Sequence, residues 1–202
     1  MARTMTPLLQ KLIMEFQFLP GIGEKTAQRF AHYIFSRQTD HARDFANTLL
    51  EALDKIKHCE QCRNLSETQI CNLCSDTRRD ETSICIVEHP SNVQMLESTH
   101  SYQGLYFVLH GALSPIDGIT PTDLGLHHLD TILATKPIEE IIVATSSKVE
   151  GEATAYYIFD QFKDKVKVSR LASGMPIGGT LDYIDGQTLQ RALRGRSLIQ
   201  DD

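Results

Sequence analysis

Apolar residues recur at helical spacing through the first quarter of the chain. A helix is predicted over residues 7–16, where Leu, Ile and Phe side chains follow Pro7. The stretch LPGIGEKTAQRF ends this helix and begins a second, with Ala27 and Ile34 on its apolar face. A third helix is predicted from Ala42 to Ile56 by the same spacing. The chain therefore begins as a helical region.

The apolar period changes from residue 83 onward. SICIVE, LYFVL and EEIIVAT are short β-rich apolar runs, and KVKVS alternates, so four strands are predicted. Helices are predicted between and after them over 91–98, opened by a Ser91–Gln94 capping box, and over 122–135 and 153–162. Strands that alternate with helices favour βαβ units and a mostly parallel sheet. The tail ends in a short basic helix, TLQRALRGR.

Composition places the chain among ordinary globular proteins. Its 202 residues are 41% hydrophobic and 23% charged, enough for one medium domain or two small ones. No apolar run approaches the roughly 20 residues of a membrane span, and the N-terminus lacks the features of a signal peptide. A cytoplasmic location without membrane contact is therefore expected, where thiols stay reduced and clustered cysteines are more often metal ligands than disulfides.

The net charge of −6 is unevenly distributed. Residues 1–57 carry eight basic and six acidic side chains, whereas residues 81–202 carry nine basic and sixteen acidic ones. Any contact with nucleic-acid phosphates is therefore expected from the N-terminal region, residues 1–57.

Four of the five cysteines lie within sixteen residues and form C-x2-C pairs separated by eight residues: Cys59, Cys62, Cys71 and Cys74. Two residues between ligands let one tight turn present both sulfurs to one ion, and four thiolates suit tetrahedral Zn²⁺. One structural zinc ion per chain is predicted, because a saturated site leaves no position for a substrate. An iron–sulfur cluster and unligated thiols are the alternatives. Cys85, within SICIV, is interpreted as a small buried apolar side chain.

LPGIGEKTAQR resembles the helix-hairpin-helix of DNA-binding proteins. Gly21 and Gly23 allow a tight turn close to a partner, and the turn delivers a helix N-terminus, which suits a phosphate. Lys25 and Arg29 share one face of the following helix, and Arg37 lies near that face. These five residues are predicted to bind the DNA backbone without sequence preference. The alternative is a plain helical corner with solvated charges.

The α/β part resembles a Toprim domain, the module of topoisomerases and primases. Glu88 directly follows the first strand, at the edge where open α/β sheets bind ligands. In such domains, this Glu and an Asp-x-Asp after a later strand hold Mg²⁺. Ser146 and Lys148 stand at those two Asp positions in ATSSKVEGEA, and no phosphate-binding G-x-x-x-x-G-K-[ST] occurs. The resemblance implies an enzyme-like fold with a weak or absent Mg²⁺ site.

In combination, these parts resemble the RecR family of bacterial recombination-repair proteins. LPGIGEKTAQR, the cysteine spacing, SPIDGITPTDLGL, VEGEATA and GGTLDYIDGQTL carry the resemblance, which covers essentially the whole chain. An α+β chain with four parts is expected: a helix-hairpin-helix region (1–57), a four-cysteine zinc finger (58–80), a Toprim domain (81–174) and a C-terminal arm (175–202). TLDYID resembles the family's Walker-B-like segment and is expected to pack as a strand and turn.

The family resemblance implies a ring-shaped homotetramer that clamps DNA. Such proteins act with RecO and RecF to load RecA onto gapped single-stranded DNA at damage, which implies a nucleoid-associated location. It also implies that Glu150 and its neighbours Glu88 and Glu152 meet RecO.

A non-enzymatic DNA clamp is the leading hypothesis. A Mg²⁺-dependent Toprim nuclease or topoisomerase-like enzyme is the alternative, and a zinc-held adaptor that binds proteins but not DNA is a third possibility.

Overall fold

The computed structural model describes residues 5–172, 174–175 and 178–196. Residues 1–4 of the predicted helix-hairpin-helix region, residue 173 of the predicted Toprim domain, and residues 176–177 and 197–202 of the predicted C-terminal arm lie outside the described residues. The chain divides into two compact units, one ending at Ile56 and the other beginning at Lys57. Mixed helices and strands confirm the predicted α+β class.

The first unit contains three helices: α1 (Pro7–Phe16), α2 (Glu24–Arg37) and α3 (Thr39–Lys55). Thr6 caps α1 by accepting a hydrogen bond from the Leu9 N–H, and Pro7 occupies its first turn. Ile13 of α1 packs against Ala27 and Ala31 of α2, whose small side chains let the helices approach closely. The three predicted helices are confirmed.

The second unit begins with a small finger. A two-residue antiparallel pair, β1 (Lys57–His58) with β2 (Leu65–Ser66), is followed by the single-turn helix α4 (Asn72–Ser75). The buried residues of the finger are the cysteines Cys59, Cys62 and Cys71. So few apolar groups cannot stabilise such a segment alone, which indicates a metal-held module.

The remainder of the second unit is built on a four-stranded parallel sheet with the order β4-β3-β5-β6. Its elements in chain order are β3 (Asp80–Val87), α5 (Pro90–Ser98), β4 (Gly104–Val108), α6 (Leu126–Thr135), β5 (Glu140–Ala144), α7 (Val149–Phe162) and β6 (Lys167–Arg170). The predicted mostly parallel sheet is confirmed.

Helices cover both faces of this sheet. Ile84, Ile86 and Phe107 pack on one face with α6 and α7 residues such as Leu129 and Ile158. On the opposite face, Cys85, Val87, Tyr106 and Val108 pack with Val93 of α5. Cys85 is only 2% exposed, so its interpretation as a buried apolar side chain is confirmed. Because both faces are buried, β4, β5 and the second half of β3 are continuous apolar runs, whereas the edge strand β6 is mostly polar.

Three local predictions in the α/β part are wrong. The Asn92 side chain, not a Ser91–Gln94 pair, closes the start of α5 by accepting from the His89 N–H at 2.9 Å, because Pro90 begins the helix earlier. The helix predicted over 122–135 begins at Leu126, after turns that end at Gly125 with φ +68°. The helix predicted over 153–162 begins four residues earlier, at Val149.

The tail contains a 3₁₀ turn (Leu181–Tyr183) and helix α8 (Gly186–Arg194). The basic C-terminal helix is therefore confirmed, but the strand and packing role expected for TLDYID is wrong. Leu181 and Tyr183 are 60% and 92% exposed, and the segment forms no strand in the described part of the tail.

Over the ranges that the structure describes, no helix combines the length and the apolar character needed to cross a membrane.

Candidate metal centre, hairpin and sheet edge

Four cysteine side chains converge in the finger. The Sγ atoms of Cys59, Cys62, Cys71 and Cys74 all lie within 4.8 Å of one another. Tetrahedral Zn–S bonds of about 2.3 Å place sulfurs about 3.8 Å apart, so the cluster has the size that one zinc ion requires. The N–H of Cys71 points to Cys59 Sγ at 3.3 Å, and that of Asn64 to Cys62 Sγ at 3.5 Å. Such donors stabilise thiolates, which are the form that binds the metal.

The thiols perturb one another strongly. Hydrogen bonds from Cys62 and Cys74 lower the pKa of the Cys71 thiol, whereas hydrogen bonding to Cys71 raises the pKa of Cys62. The pKa of Cys74 is raised by its bonds to Cys62 and Cys71. Four thiolates this close repel one another, so a divalent cation is what allows all four to ionise together.

The finger is fastened to the end of strand β4. The Cys62 carbonyl accepts a hydrogen bond from the Val108 N–H at 2.9 Å. The neighbouring Arg63, in the left-handed conformation with φ 63°, donates to the Leu124 carbonyl and lies over the Phe107 ring at 5.8 Å. A metal-binding turn is thereby joined to the sheet through groups far apart in sequence.

The glycine hairpin presents an open helix N-terminus. Gly21 has φ +80°, which only glycine adopts readily, whereas Gly23 is extended and caps α2 with its backbone alone. Ala27 donates the first intrahelical hydrogen bond, to the Gly23 carbonyl at 2.9 Å. A Cβ at either glycine would meet no atom within 4 Å, so the surface before α2 is unobstructed. The backbone N–H groups of the first turn of α2, before Ala27, can therefore donate to an anion.

The predicted basic residues all lie on α2, after this opening. Lys25, Arg29 and Arg37 are all exposed. Glu24, whose charge would repel a phosphate, turns along the helix and accepts a hydrogen bond from the Gln28 side chain at 3.1 Å. The geometry is compatible with binding a phosphate at the N-terminus and others along the helix.

The carboxyl edge of the sheet brings together the predicted Toprim residues. Because Val87 of β3 is in register with Ala144 of β5, Glu88 and Ser146 follow at the same edge. Glu88 Oε1 accepts a hydrogen bond from the Ser146 N–H at 2.8 Å. A Cβ at Gly151 would lie less than 3.0 Å from Ser146 and from Glu88 Oε1, so only glycine fits there. Lys148 is exposed. One carboxylate already held by an N–H, with Ser146 and Lys148 in place of carboxylates, does not fit a Mg²⁺ site.

Glu152, predicted from the family resemblance only as part of a partner surface, lies between two arginines. Arg170 Nη1 at the end of β6 is 2.5 Å from Glu152 Oε2, and Arg191 Nη2 of α8 is 3.0 Å from Oε1. Hydrogen bonding from Arg170 chiefly lowers the pKa of Glu152. Glu150 is exposed. The sequence signal for the arginine pairing was weak: a basic tail following an acidic helix start.

Comparison with known proteins gives four family profiles along the chain. The RecR helix-hairpin-helix profile matches residues 9–53, and the RecR zinc finger domain profile, defined by four cysteines, matches 56–76. The Toprim domain profile matches residues 82–172, and the RecR C-terminal profile matches 174–197. With the sulfur cluster, the finger match confirms the predicted four-cysteine zinc site.

Relatives align along nearly the full chain. "Recombination protein RecR" of Xanthomonas oryzae pv. oryzae is 46% identical over 196 residues, covering 96% of this chain and 100% of the relative. The proteins of the same name from Saccharophagus degradans and Xylella fastidiosa are each 45% identical over 195 residues, covering 96% of this chain and 99% and 98% of theirs. Because the four domain matches follow one another along the chain and the relatives are about 45% identical over nearly its full length, the chain belongs to the RecR family of recombination proteins.

Proposed function

We propose that the protein is a non-enzymatic DNA clamp in recombinational repair. The observation that carries the proposal is the open N-terminus of α2, with Lys25 and Arg29 exposed beside it. Backbone N–H groups and flexible cations recognise phosphates without reading bases, so binding is independent of sequence. The relatives are recombination proteins, which supports the repair context.

The experiment removes both cations. Lys25→Ala with Arg29→Ala is expected to weaken binding to every DNA sequence alike and to flatten the salt dependence by about 0.9 per lost phosphate contact on duplex DNA. Lys11→Ala with Arg43→Ala removes the same charge from exposed sites of the same unit and serves as the control. Equal DNA affinity of the two double variants would place the phosphates elsewhere.

The clamp is proposed to be a homotetramer. Helix α3 buries none of its side chains, and its apolar residues Phe45, Leu49 and Leu53 are 60%, 48% and 69% exposed. An apolar face of this length supports self-association. Four hairpins in one ring would raise affinity through effective concentration, which compensates for the weakness of each site in an acidic protein. Native mass spectrometry reports the subunit number and the zinc count together.

The clamp is further proposed to act with RecO and RecF in loading RecA onto gapped single-stranded DNA in the nucleoid. Acidic residues at the sheet edge and the start of α7 support a contact with RecO: Glu150 is exposed, and Glu88 and Glu152 are half-buried. Binding of purified RecO to the wild type and to Glu150→Gln tests this contact. Unchanged affinity would contradict it.

A further inference from the structure

Glu152, in the first turn of α7, is paired with an arginine of the protein's own tail. Arg170 and Arg191 take different oxygens of the single Glu152 carboxylate, at 2.5 and 3.0 Å. Arg170 also lies 3.4 Å from the Ser146 carbonyl, so it belongs to the sheet edge itself. Arg191 comes from α8, a separate element later in the chain. Its contact with Glu152 therefore ties the tail to α7.

Helix α8 is ordered by its own cap. The N–H of Thr188 donates to Asp185 Oδ1 at 3.0 Å, and its hydroxyl donates to Oδ2 at 2.6 Å. Thr188, Leu189, Arg191 and Ala192, which together span one side of the helix, are half-buried, whereas Arg194 on the last turn is exposed. One face of α8 is thus turned toward the rest of the second unit, and Arg191 is the cation on that face.

We propose that α8 is a latch that covers Glu152 and competes with a basic helical segment of a protein partner for this surface. The proposal rests on the RecO contact proposed above. The kind of partner follows from the present occupant, because an amphipathic helix with an arginine already occupies the surface. Val149 and Tyr156 of α7, 81% and 72% exposed, provide apolar contact area beside the carboxylates.

The latch is weak enough to be displaced. The side chains of Arg191 and Glu152 are 39% and 37% exposed, so water screens their attraction. An incoming guanidinium can replace that of Arg191 while Arg170 keeps the carboxylate in position. Glu150, exposed two residues earlier on α7, is accessible to the partner before α8 leaves. Opening therefore proceeds by exchange of one arginine for another.

The first test needs no partner protein. A labelled peptide of residues 185–196, DGQTLQRALRGR, is titrated into the full-length wild type, Arg191→Ala and Arg194→Ala. Arg191→Ala is expected to bind it about two- to five-fold more tightly than the wild type, the range for losing one partly exposed ion pair. Arg194→Ala, the matched loss of charge on the same helix, is expected to match the wild type. Adding Glu152→Gln to Arg191→Ala should abolish the gain. Equal binding by Arg191→Ala and the wild type, or none by either, overturns the latch.

The second test measures affinity for purified RecO with the same variants. Arg191→Ala is expected to bind RecO about two- to five-fold more tightly, and Arg194→Ala is expected to be unchanged. If the peptide binds as expected but RecO affinity is equal in all variants, competition with the partner is overturned. If no variant binds RecO, the proposed RecO contact fails, and the peptide result alone decides whether α8 covers Glu152.

Discussion

Glu88 Oε1 accepts a hydrogen bond from the Ser146 backbone N–H at 2.8 Å. The carboxylate at the Toprim sheet edge is therefore bound within the protein. In a metal-dependent relative of this fold, that oxygen would face a cation together with further carboxylates. Here a hydroxyl and an ammonium stand at the other positions, in Ser146 and Lys148. The edge therefore keeps one carboxylate, Glu88, where a Mg²⁺-binding edge would have several.

We therefore expect no Mg²⁺-dependent cleavage of plasmid DNA and no ATP hydrolysis by the purified protein. The measurement is plasmid nicking and phosphate release over a range of Mg²⁺ concentrations, with Glu88→Gln as the control. Turnover in the wild type that disappears in Glu88→Gln would show that the edge is catalytic.

Chelation of the zinc ion is expected to make four thiols reactive, leaving one protected. Cys59, Cys62, Cys71 and Cys74 become accessible when the metal leaves, whereas Cys85 is buried between the sheet and α5. Burial raises the pKa of the Cys85 thiol to about 12, so it stays neutral at pH 8. A thiol-reactive chromophore should therefore count four groups after chelation and five after denaturation. Five reactive thiols before denaturation would contradict the packing of Cys85.

The same raised pKa gives a direction to the pH dependence of stability. The folded Cys85 thiol holds its proton to higher pH than an unfolded thiol, which ionises near pH 8.5. Its contribution is complete below that value and is lost as the pH rises toward 12. In the zinc-loaded protein, Cys85→Ala should fall in stability less steeply between pH 9 and 11 than the wild type. An identical slope for the two proteins would contradict this assignment.

Two adjacent arginines are expected to differ sharply in their importance for stability. The Arg79 side chain is 6% exposed, pairs with Glu97 and donates to the Gly104 carbonyl at 2.9 Å. Removing it takes the cation away from Glu97, which keeps a hydrogen bond from the Tyr106 hydroxyl at 2.7 Å, so Arg79→Ala should cost about 3 kcal/mol, the lower end of the range for a broken buried pair. Arg78 is 87% exposed in its pair with Asp76, so water screens their attraction and Arg78→Ala should leave stability nearly unchanged. Denaturant unfolding of the two variants makes the comparison, and equal midpoints would contradict it.

Substitutions at the two hairpin glycines are expected to have different effects, one on folding and the other on DNA binding. Gly21→Ala forces a Cβ into φ +80° and should destabilise the first unit by about 1 kcal/mol. Gly23 has φ −86° with open space around it, so Gly23→Ala should fold normally. Its methyl group would stand where a phosphate approaches the α2 N–H groups, and DNA affinity should fall. Thermal unfolding and DNA titration measure the two effects, and unchanged DNA affinity of Gly23→Ala would show that the phosphate does not approach there.

The sequence predicted most helices and strands and the cysteine cluster, because these features depend on residues that are close together in the chain. Helical spacing, paired cysteines and apolar runs each reflect neighbours in sequence, and the helices of the first unit, the sulfur cluster and the parallel sheet were all predicted correctly. Boundaries were less accurate where two signals competed. Pro90 starts α5 before the Ser91 cap, and Val149 starts α7 before the apolar spacing begins.

Contacts between distant segments could not be read from the sequence. The pairing of Arg191 with Glu152 and that of Arg79 with Glu97 join residues whose spacing carries no signal. The exposure of Leu49 and Leu53 on α3 was also unforeseen, because apolar spacing predicts a buried face but does not say which surface covers it.

The hydrogen bond from Val108 to the Cys62 carbonyl gives the metal a role beyond the finger. Strand β4 is the outer strand of the sheet, and outer strands with unpaired backbone groups recruit other chains into aggregates. The folded finger shields the carboxyl end of that strand. Loss of zinc is therefore expected to expose this end of the strand and to promote aggregation of the metal-free protein.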